Sequence, residues 1–178
     1  MECSAAILIG RHRLTETSLI VHWWTTGHGL VKTVAKGALR PKSPFAGRLD
    51  LFVSADIRWT ISRTGDLHTL TEAQLTEMRM GLRNDYSRVL TATYLIKLLE
   101  WTVERESHVE GLSDLLTKAL DYLCLHPASR TVVERFELRL AELFGVAGGL
   151  GKPISALQAL VHKPIPPQRR QLWSMLKG

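Results

Sequence analysis

The strongest constraint on this 178-residue chain is a change of hydrophobic period. Over residues 51–61, Leu51, Val53, Ala55, Ile57, Trp59 and Ile61 alternate with Phe52, Ser54, Asp56, Arg58 and Thr60. That two-residue repeat belongs to a strand with one buried face. From Met80 the repeat lengthens: Leu82, Tyr86, Val89, Leu90, Thr93, Ile96, Leu99 and Val103 recur at helical spacing. A strand-rich half followed by a helix-rich half is an α+β arrangement. The expected units are residues 1–78 and 79–178.

The first unit reads as five short strands: residues 3–10, 17–26, 30–36, 51–61 and 67–71. With no helix between most of them, they fit a small closed barrel. The seam at residues 69–80 has two readings. It carries a capping-like Thr69-Leu-Thr-Glu72, and it also extends the fifth strand. Beyond it the spacing predicts a helix from Met80, one over 112–125 capped by Ser113, and one over 129–144. The last is opened by Thr131-Val-Val-Glu134 and stopped by Gly145. Beyond Gly145 glycines and prolines dominate, with one short helix expected over 168–176.

Several function classes lack their signals. No uninterrupted apolar window of about 18 residues is present, so no membrane-spanning helix is expected. The initial MECSAAILIGRHR places its charge after the apolar run, the wrong order for a secretory signal. Cys3 and Cys124, the only cysteines, build neither a disulfide framework nor a four-cysteine metal site, which suits a reducing cytoplasm. HExxH, GxSxG and GxGxxG are all missing, and Gly151-Lys152 is followed by Pro153 rather than a P-loop hydroxyl. Glu100, Glu104, Glu106 and Glu110 read as the solvated face and end of a helix. No enzyme, no metal and no cofactor is expected.

Binding signals are stronger. Lys36, Arg40, Lys42 and Arg48 lie in a loop broken by Gly37, Pro41, Pro44 and Gly47, with no acid before Asp50. Like charges gathered without partners call for an outside anion, and the phosphate backbone is the commonest one. Arg11 and Arg13 lie at the end of the first strand. Trp23 and Trp24 are adjacent in the second strand and point to opposite faces; Trp24, opposite the more apolar face, has two readings, as the candidate for stacking on bases or as a residue packed against the helical half. Net charge is +3 over residues 1–75, −2 over 76–145 and +5 over 146–178, which suggests two functional surfaces.

These segments resemble RecO, the bacterial recombination mediator family. The resemblance is carried by Glu16-Thr-Ser-Leu19, Gly29-Leu-Val31, the run from Ala35-Lys-Gly-Ala38 to Lys42, Gly47-Arg-Leu49 with Phe52, Leu70-Thr-Glu72, and Phe136-Glu-Leu-Arg-Leu140 before Gly145. They occur in family order over about residues 5 to 145. The resemblance implies an N-terminal OB-fold followed by a helical domain. It implies binding of single- and double-stranded DNA, annealing of complementary strands, and recombinase loading with a RecR-like partner. It also implies docking of the acidic C-terminal tail of the single-strand-binding protein. Lys36, Arg40, Lys42, Arg11 and Arg13 match the family's basic pattern. The family often has a basic pair before the Phe-Glu-Leu segment where this chain has Glu134-Arg135, so Arg130, Arg135 and Arg139 are the expected residues for the acidic tail. Family members often carry a cysteine zinc module after that segment; here no cysteine follows Cys124, so no zinc is expected. Two other readings share these features: an OB-fold interaction adaptor with incidental nucleic-acid binding, and an RNA-binding OB protein.

Overall fold

The computed structural model describes residues 1–103, 109–148 and 151–176. The described residues divide into two compact units, Met1–Met78 and the described residues from Arg79 onward.

In the first unit, β1 (Glu2–Arg13), β2 (Leu19–Thr25), β3 (Gly29–Ala35), β4 (Ser54–Thr60) and β5 (Leu67–Glu77) close a barrel in the order β1-β2-β3-β5-β4. All pairs are antiparallel except β3 with β5. This five-stranded closed barrel is the expected OB arrangement. A 12-residue β1 serves two neighbours, pairing with β4 along its first half and β2 along its second. A bulge between Leu8 and Gly10 supplies the bend. Alternation puts Leu19, Val21 and Trp23, with Ala55, Ile57 and Trp59, into the barrel interior. The buried Trp23 Nε1–H donates to Thr33 Oγ1 at 2.9 Å, which satisfies its polar atom inside the core.

Two strand boundaries differ from the sequence expectation. The fourth strand starts at Ser54 rather than Leu51, because Phe52 adopts φ 70°, a left-handed backbone that breaks a strand. Phe52 N–H donates to Leu8 O at 2.8 Å and Leu8 N–H donates to Val53 O at 2.9 Å, fixing that turn against β1. The strand also ends at Thr60, which leaves Ile61 51% exposed instead of on the core face. At the seam, the strand reading wins: β5 continues to Glu77 against β4.

The second unit opens with a 3-10 turn at Met80–Asn84, followed by α1 (Tyr86–Thr102), α2 (Leu112–Leu125), α3 (Arg130–Leu143), α4 (Pro153–Val161) and α5 (Gln168–Met175). Asp85 ends the 3-10 turn and caps α1, its carboxylate accepting Ser87 N–H at 3.0 Å. Leu90, Ala92, Tyr94, Leu95, Ile96, Leu98 and Leu99 are all buried, so α1 is apolar nearly all round and forms the unit's axis. Two cap assignments are corrected. Helix α2 begins from Gly111, so Ser113 lies inside its first turn. Helix α3 is capped by Ser129, whose hydroxyl accepts Val132 N–H at 3.4 Å, two residues before the start of the Thr131–Glu134 box. Gly145, at φ 69°, ends α3: its N–H reaches Glu142 O and Val146 N–H reaches Ala141 O, the Schellman pattern that needs a left-handed residue. Helix α4 was not expected from the sequence; Pro153 at its first turn pre-sets the helical φ, and Ile154 and Leu157 anchor it. Glu104 and Glu106 of the acidic group lie outside the described residues; Glu100 accepts Lys97 Nζ at 2.6 Å, and Glu110 is exposed.

Candidate nucleic-acid interface

The segment joining β3 to β4 is a chain of tight turns. Ala38 N–H bonds Ala35 O, Arg40 N–H bonds Gly37 O, Ser43 N–H bonds Arg40 O, Ala46 N–H bonds Ser43 O and Arg48 N–H bonds Phe45 O. Its apolar residues Ala38, Phe45 and Leu49 are buried and belong to the barrel core. Lys36, Arg40, Lys42 and Arg48 are exposed. The segment therefore stops one end of the barrel with its apolar side chains and turns its cations outward. Anchoring of this kind holds the charges on a fixed frame, so they need little ordering when an anion arrives.

The adjacent strand ends carry the same edge. Leu39 N–H donates to Thr17 O at 2.9 Å and Gly37 N–H to Ser18 Oγ at 3.3 Å, tying the segment to the β1–β2 turn. Arg13 pairs with Leu19, which pairs with Ala35, the residue before Lys36. Gly37 sits at φ 65°, and a Cβ built on it would lie 3.4 Å from Arg40 Cδ. Glycine here permits both the turn and the close passage of the Arg40 side chain. Among the described residues, no carboxylate pairs with Arg13, Lys36, Arg40 or Lys42, and Arg48 Nη1 reaches only Ala73 O at 3.3 Å. The structure thus brings Arg13, Lys36, Arg40 and Lys42 to one end of the barrel.

Two expected residues fall elsewhere. Arg11 donates to Leu49 O and meets Asp50 Oδ1 at 3.1 Å, so its guanidinium braces the end of the loop instead of standing free for phosphate. Trp24 is 3% exposed and offers no ring face to a base; it leaves the set of stacking residues.

In the helical unit, α2 and α3 enclose a groove of about 250 Å³ lined by Leu115, Lys118, Ala119, Tyr122, Val132, Arg135, Phe136 and Arg139. Its lining is apolar on the floor and carries three cations. Arg135 and Lys118 are exposed, and Arg139 Nη1 makes a surface pair with Glu142 at 2.7 Å. Lys118 was missed in the sequence because it lies in another helix, 17 residues before Arg135. Arg130 is corrected: its Nη2 donates to Trp173 O at 2.7 Å, so it ties α3 to α5 and does not line the groove.

The FELR segment places Glu137 inward instead of on the surface. Glu137 is 1% exposed and accepts Tyr94 Oη–H at 2.6 Å, Arg169 Nε–H at 2.7 Å and Arg169 Nη2–H at 3.0 Å. The Arg169 guanidinium also lies 3.8 Å over the Trp173 ring. Burial and the neighbouring Glu137 charge push the Tyr94 hydroxyl far above its usual range, so it stays a donor. Burial alone would lower Arg169, but its hydrogen bonds and attraction to Glu137 outweigh that and raise it.

Cys3, on β1, and Cys124, on α2, belong to different units and do not fit a cysteine-held zinc. Among the described residues no group of three His, Cys, Asp or Glu side chains is placed to hold a metal ion, and no helix is long and apolar enough to cross a membrane.

Residues 1–79 match the family model described as Recombination protein O N terminal, and residues 83–148 match Recombination protein O C terminal. The chain is 33% identical over 147 residues to the DNA repair protein RecO of Syntrophotalea carbinolica, covering 82% of this chain and 57% of that protein. With the DNA repair protein RecO of Nitrosospira multiformis it shares 30% identity over 185 residues, covering 99% and 69%. With that of Idiomarina loihiensis it shares 31% over 144 residues, covering 80% and 60%. The chain spans about three-fifths of the length of most curated relatives it matches. With one family match on the barrel, the other on the helices, and relatives aligned along both, the chain belongs to the RecO family of DNA repair proteins.

Proposed function

We propose that this chain is a DNA-binding recombination mediator that holds single- and double-stranded DNA on the cationic end of its barrel and anneals complementary strands. The observation that carries this reading is the β3–β4 segment, acid-free from Lys36 to Leu49, whose apolar side is fixed in the core and whose Lys36, Arg40 and Lys42 face solvent without carboxylate partners among the described residues. The mechanism is passive. Cations neutralise phosphates on two strands, counterions leave, repulsion between the strands falls, and complementary bases meet. Neutralising roughly four to six phosphates lowers affinity about 100-fold or more between 50 and 200 mM salt. Arg13 extends the same edge, and Arg11 and Arg48 keep the loop in place.

The α2–α3 groove supports the partner half of this reading. An apolar floor flanked by Lys118, Arg135 and Arg139 suits the acidic C-terminal tail of a single-strand-binding protein, with its hydrophobic end seated and its carboxylates at the rim. Loading of recombinase then follows with a RecR-like partner.

The test is a strand-annealing assay with complementary oligomers, with and without the cognate single-strand-binding protein, run on the full chain and on the variant with Lys36, Arg40 and Lys42 all changed to Glu. The expected result is annealing by the native chain and little by the variant. Oligonucleotide affinity that is unchanged in the variant at low salt would remove the loop from the site, and negligible DNA binding near 100 mM salt would end the mediator reading in favour of an adaptor.

A further inference from the structure

The end of the barrel opposite the cationic segment is built differently. The start of β1, the β2–β3 turn, the end of β4 and the start of β5 meet there: Glu2 pairs with Trp59, Thr25 with Gly29 and Lys32 with Leu67. They enclose a cavity of about 380 Å³ lined by Glu2, Gly27, His28, Val31, Trp59, Ile61 and His68. That size lies within the range of small-ligand pockets, and barrel mouths are a usual place for them.

Its chemistry is specific. Val31 and Trp59, 3% and 1% exposed, close the cavity from the core side, and Ile61 supplies its exposed apolar surface. The His28 ring stands edge-on to Trp59 at 5.1 Å and 87°, and its Nε2 lies 3.9 Å from Glu2 Oε2. Ser62 N–H donates to His68 Nδ1 at 3.2 Å, so in the neutral ring the proton sits on Nε2 and His68 keeps an N–H donor. The lining contains no Lys or Arg, and its one formal charge is the Glu2 carboxylate. A phosphate is repelled from such a site. A flat, neutral heteroaromatic ring with an amine beside a ring acceptor carries the groups complementary to a carboxylate and an imidazole N–H.

We propose that this cavity takes one unpaired nucleobase, with the amine facing Glu2, a ring acceptor facing His68 and the ring against Ile61. The proposal rests on the DNA-binding reading of the barrel, whose cationic end lies about 20 Å away along the seven residues of β3. One end then holds the backbone by charge, while the other takes a base. Carboxylates accept from the cytosine amine, whereas thymine presents a carbonyl at that position, so amino-bearing bases are favoured over thymine.

The experiment titrates the full chain with two uncharged probes, deoxycytidine and thymidine, and follows the backbone amides of His28, Ser62 and His68 by NMR. The expected result is saturable shifts at those amides, with deoxycytidine about 10-fold tighter than thymidine. Binding should be indifferent to salt between 50 and 200 mM and unchanged in the Lys36, Arg40 and Lys42 to Glu variant. Glu2→Gln should erase the preference while keeping the fold, and His68→Ala should abolish saturation. Shifts that never saturate, that spread without focus, or that vanish in the loop variant would overturn the proposal. The two readings fail separately: wild-type protein that binds no oligonucleotide refutes the DNA reading, whereas oligonucleotide binding without nucleoside shifts refutes only the cavity.

Discussion

Arg40 in the β3–β4 segment and Arg169 in α5 carry the same side chain under opposite rules. Arg40 is exposed on a loop with no acid from Lys36 to Leu49, and its charge is left to water. Arg169 is folded into the helical unit, bidentate on a Glu137 that water does not reach, and stacked over Trp173. The β3–β4 segment leaves Lys36, Arg40 and Lys42 open to solvent, and the helical unit engages Arg169, Arg130 and Arg79 in holding its helices, Arg79 through Asp121 at 2.7 Å. Counting basic residues therefore overstates what a surface can bind. The useful count is of cations that the fold has not already used.

The contrast breaks most sharply at Arg169. Arg169→Met strands Glu137 in the interior, and a loss of about 3–5 kcal/mol is expected in denaturant unfolding. A loss below about 1 kcal/mol would show that the pair is solvated and the contrast with Arg40 false. Changing Arg169 and Glu137 together to apolar residues should recover most of that loss.

Next in size is the triple change of Lys36, Arg40 and Lys42 to Glu. It should leave stability within about 0.5 kcal/mol, as surface changes do. Affinity for a labelled oligonucleotide should fall about 100-fold at low salt, and the log–log salt slope should drop by about 2. A large melting shift would mean that these side chains support the barrel end rather than face a ligand.

Tyr94→Phe sharpens the buried side of the contrast. Losing the hydroxyl to the Glu137 carboxylate costs about 2 kcal/mol by thermal or denaturant unfolding. Because folding raises the Tyr94 hydroxyl, its contribution is complete below the ordinary tyrosine value of about 10 and is lost as pH climbs beyond it. The gap between native protein and variant should close in strong alkali.

The smallest effect is at Asp85. Asp85→Ala removes the α1 cap and should cost about 1 kcal/mol. Hydrogen bonds from Ser87 hold this carboxyl below its usual range. Its stabilisation is present above the ordinary carboxylate value and fades as pH falls through the depressed one, so native and variant unfolding curves should converge in acid.

Much of the fold was legible because hydrophobic period is a local signal. Leu19, Val21 and Trp23, or Leu116, Leu120 and Leu123, announce their buried faces without reference to anything distant. The misses share a cause. Phe52 reads as a strand residue, but contacts with Leu8, 44 positions away, hold it at a left-handed φ. Ser113 and Thr131 are good caps by type, yet Gly111 and Ser129 occupy the actual helix starts. In the site, Lys36, Arg40 and Lys42 were readable because no acid interrupts the chain from Lys36 to Leu49. That Arg11 is engaged by Asp50 and that Lys118 joins Arg135 depended on partners 39 and 17 residues distant, and the burial of Trp24 depended on the tertiary fold.

By itself the amino-acid sequence determined the element types, the change from strand to helix near Met80 and the loop in which positive charge gathers, because period and composition act between near neighbours in the chain. Tertiary structure decided which of those charges remain available. Whether an arginine meets a carboxylate, a carbonyl or water depends on residues far apart in the chain that only folding brings within hydrogen-bonding distance, as Arg169 and Glu137 show.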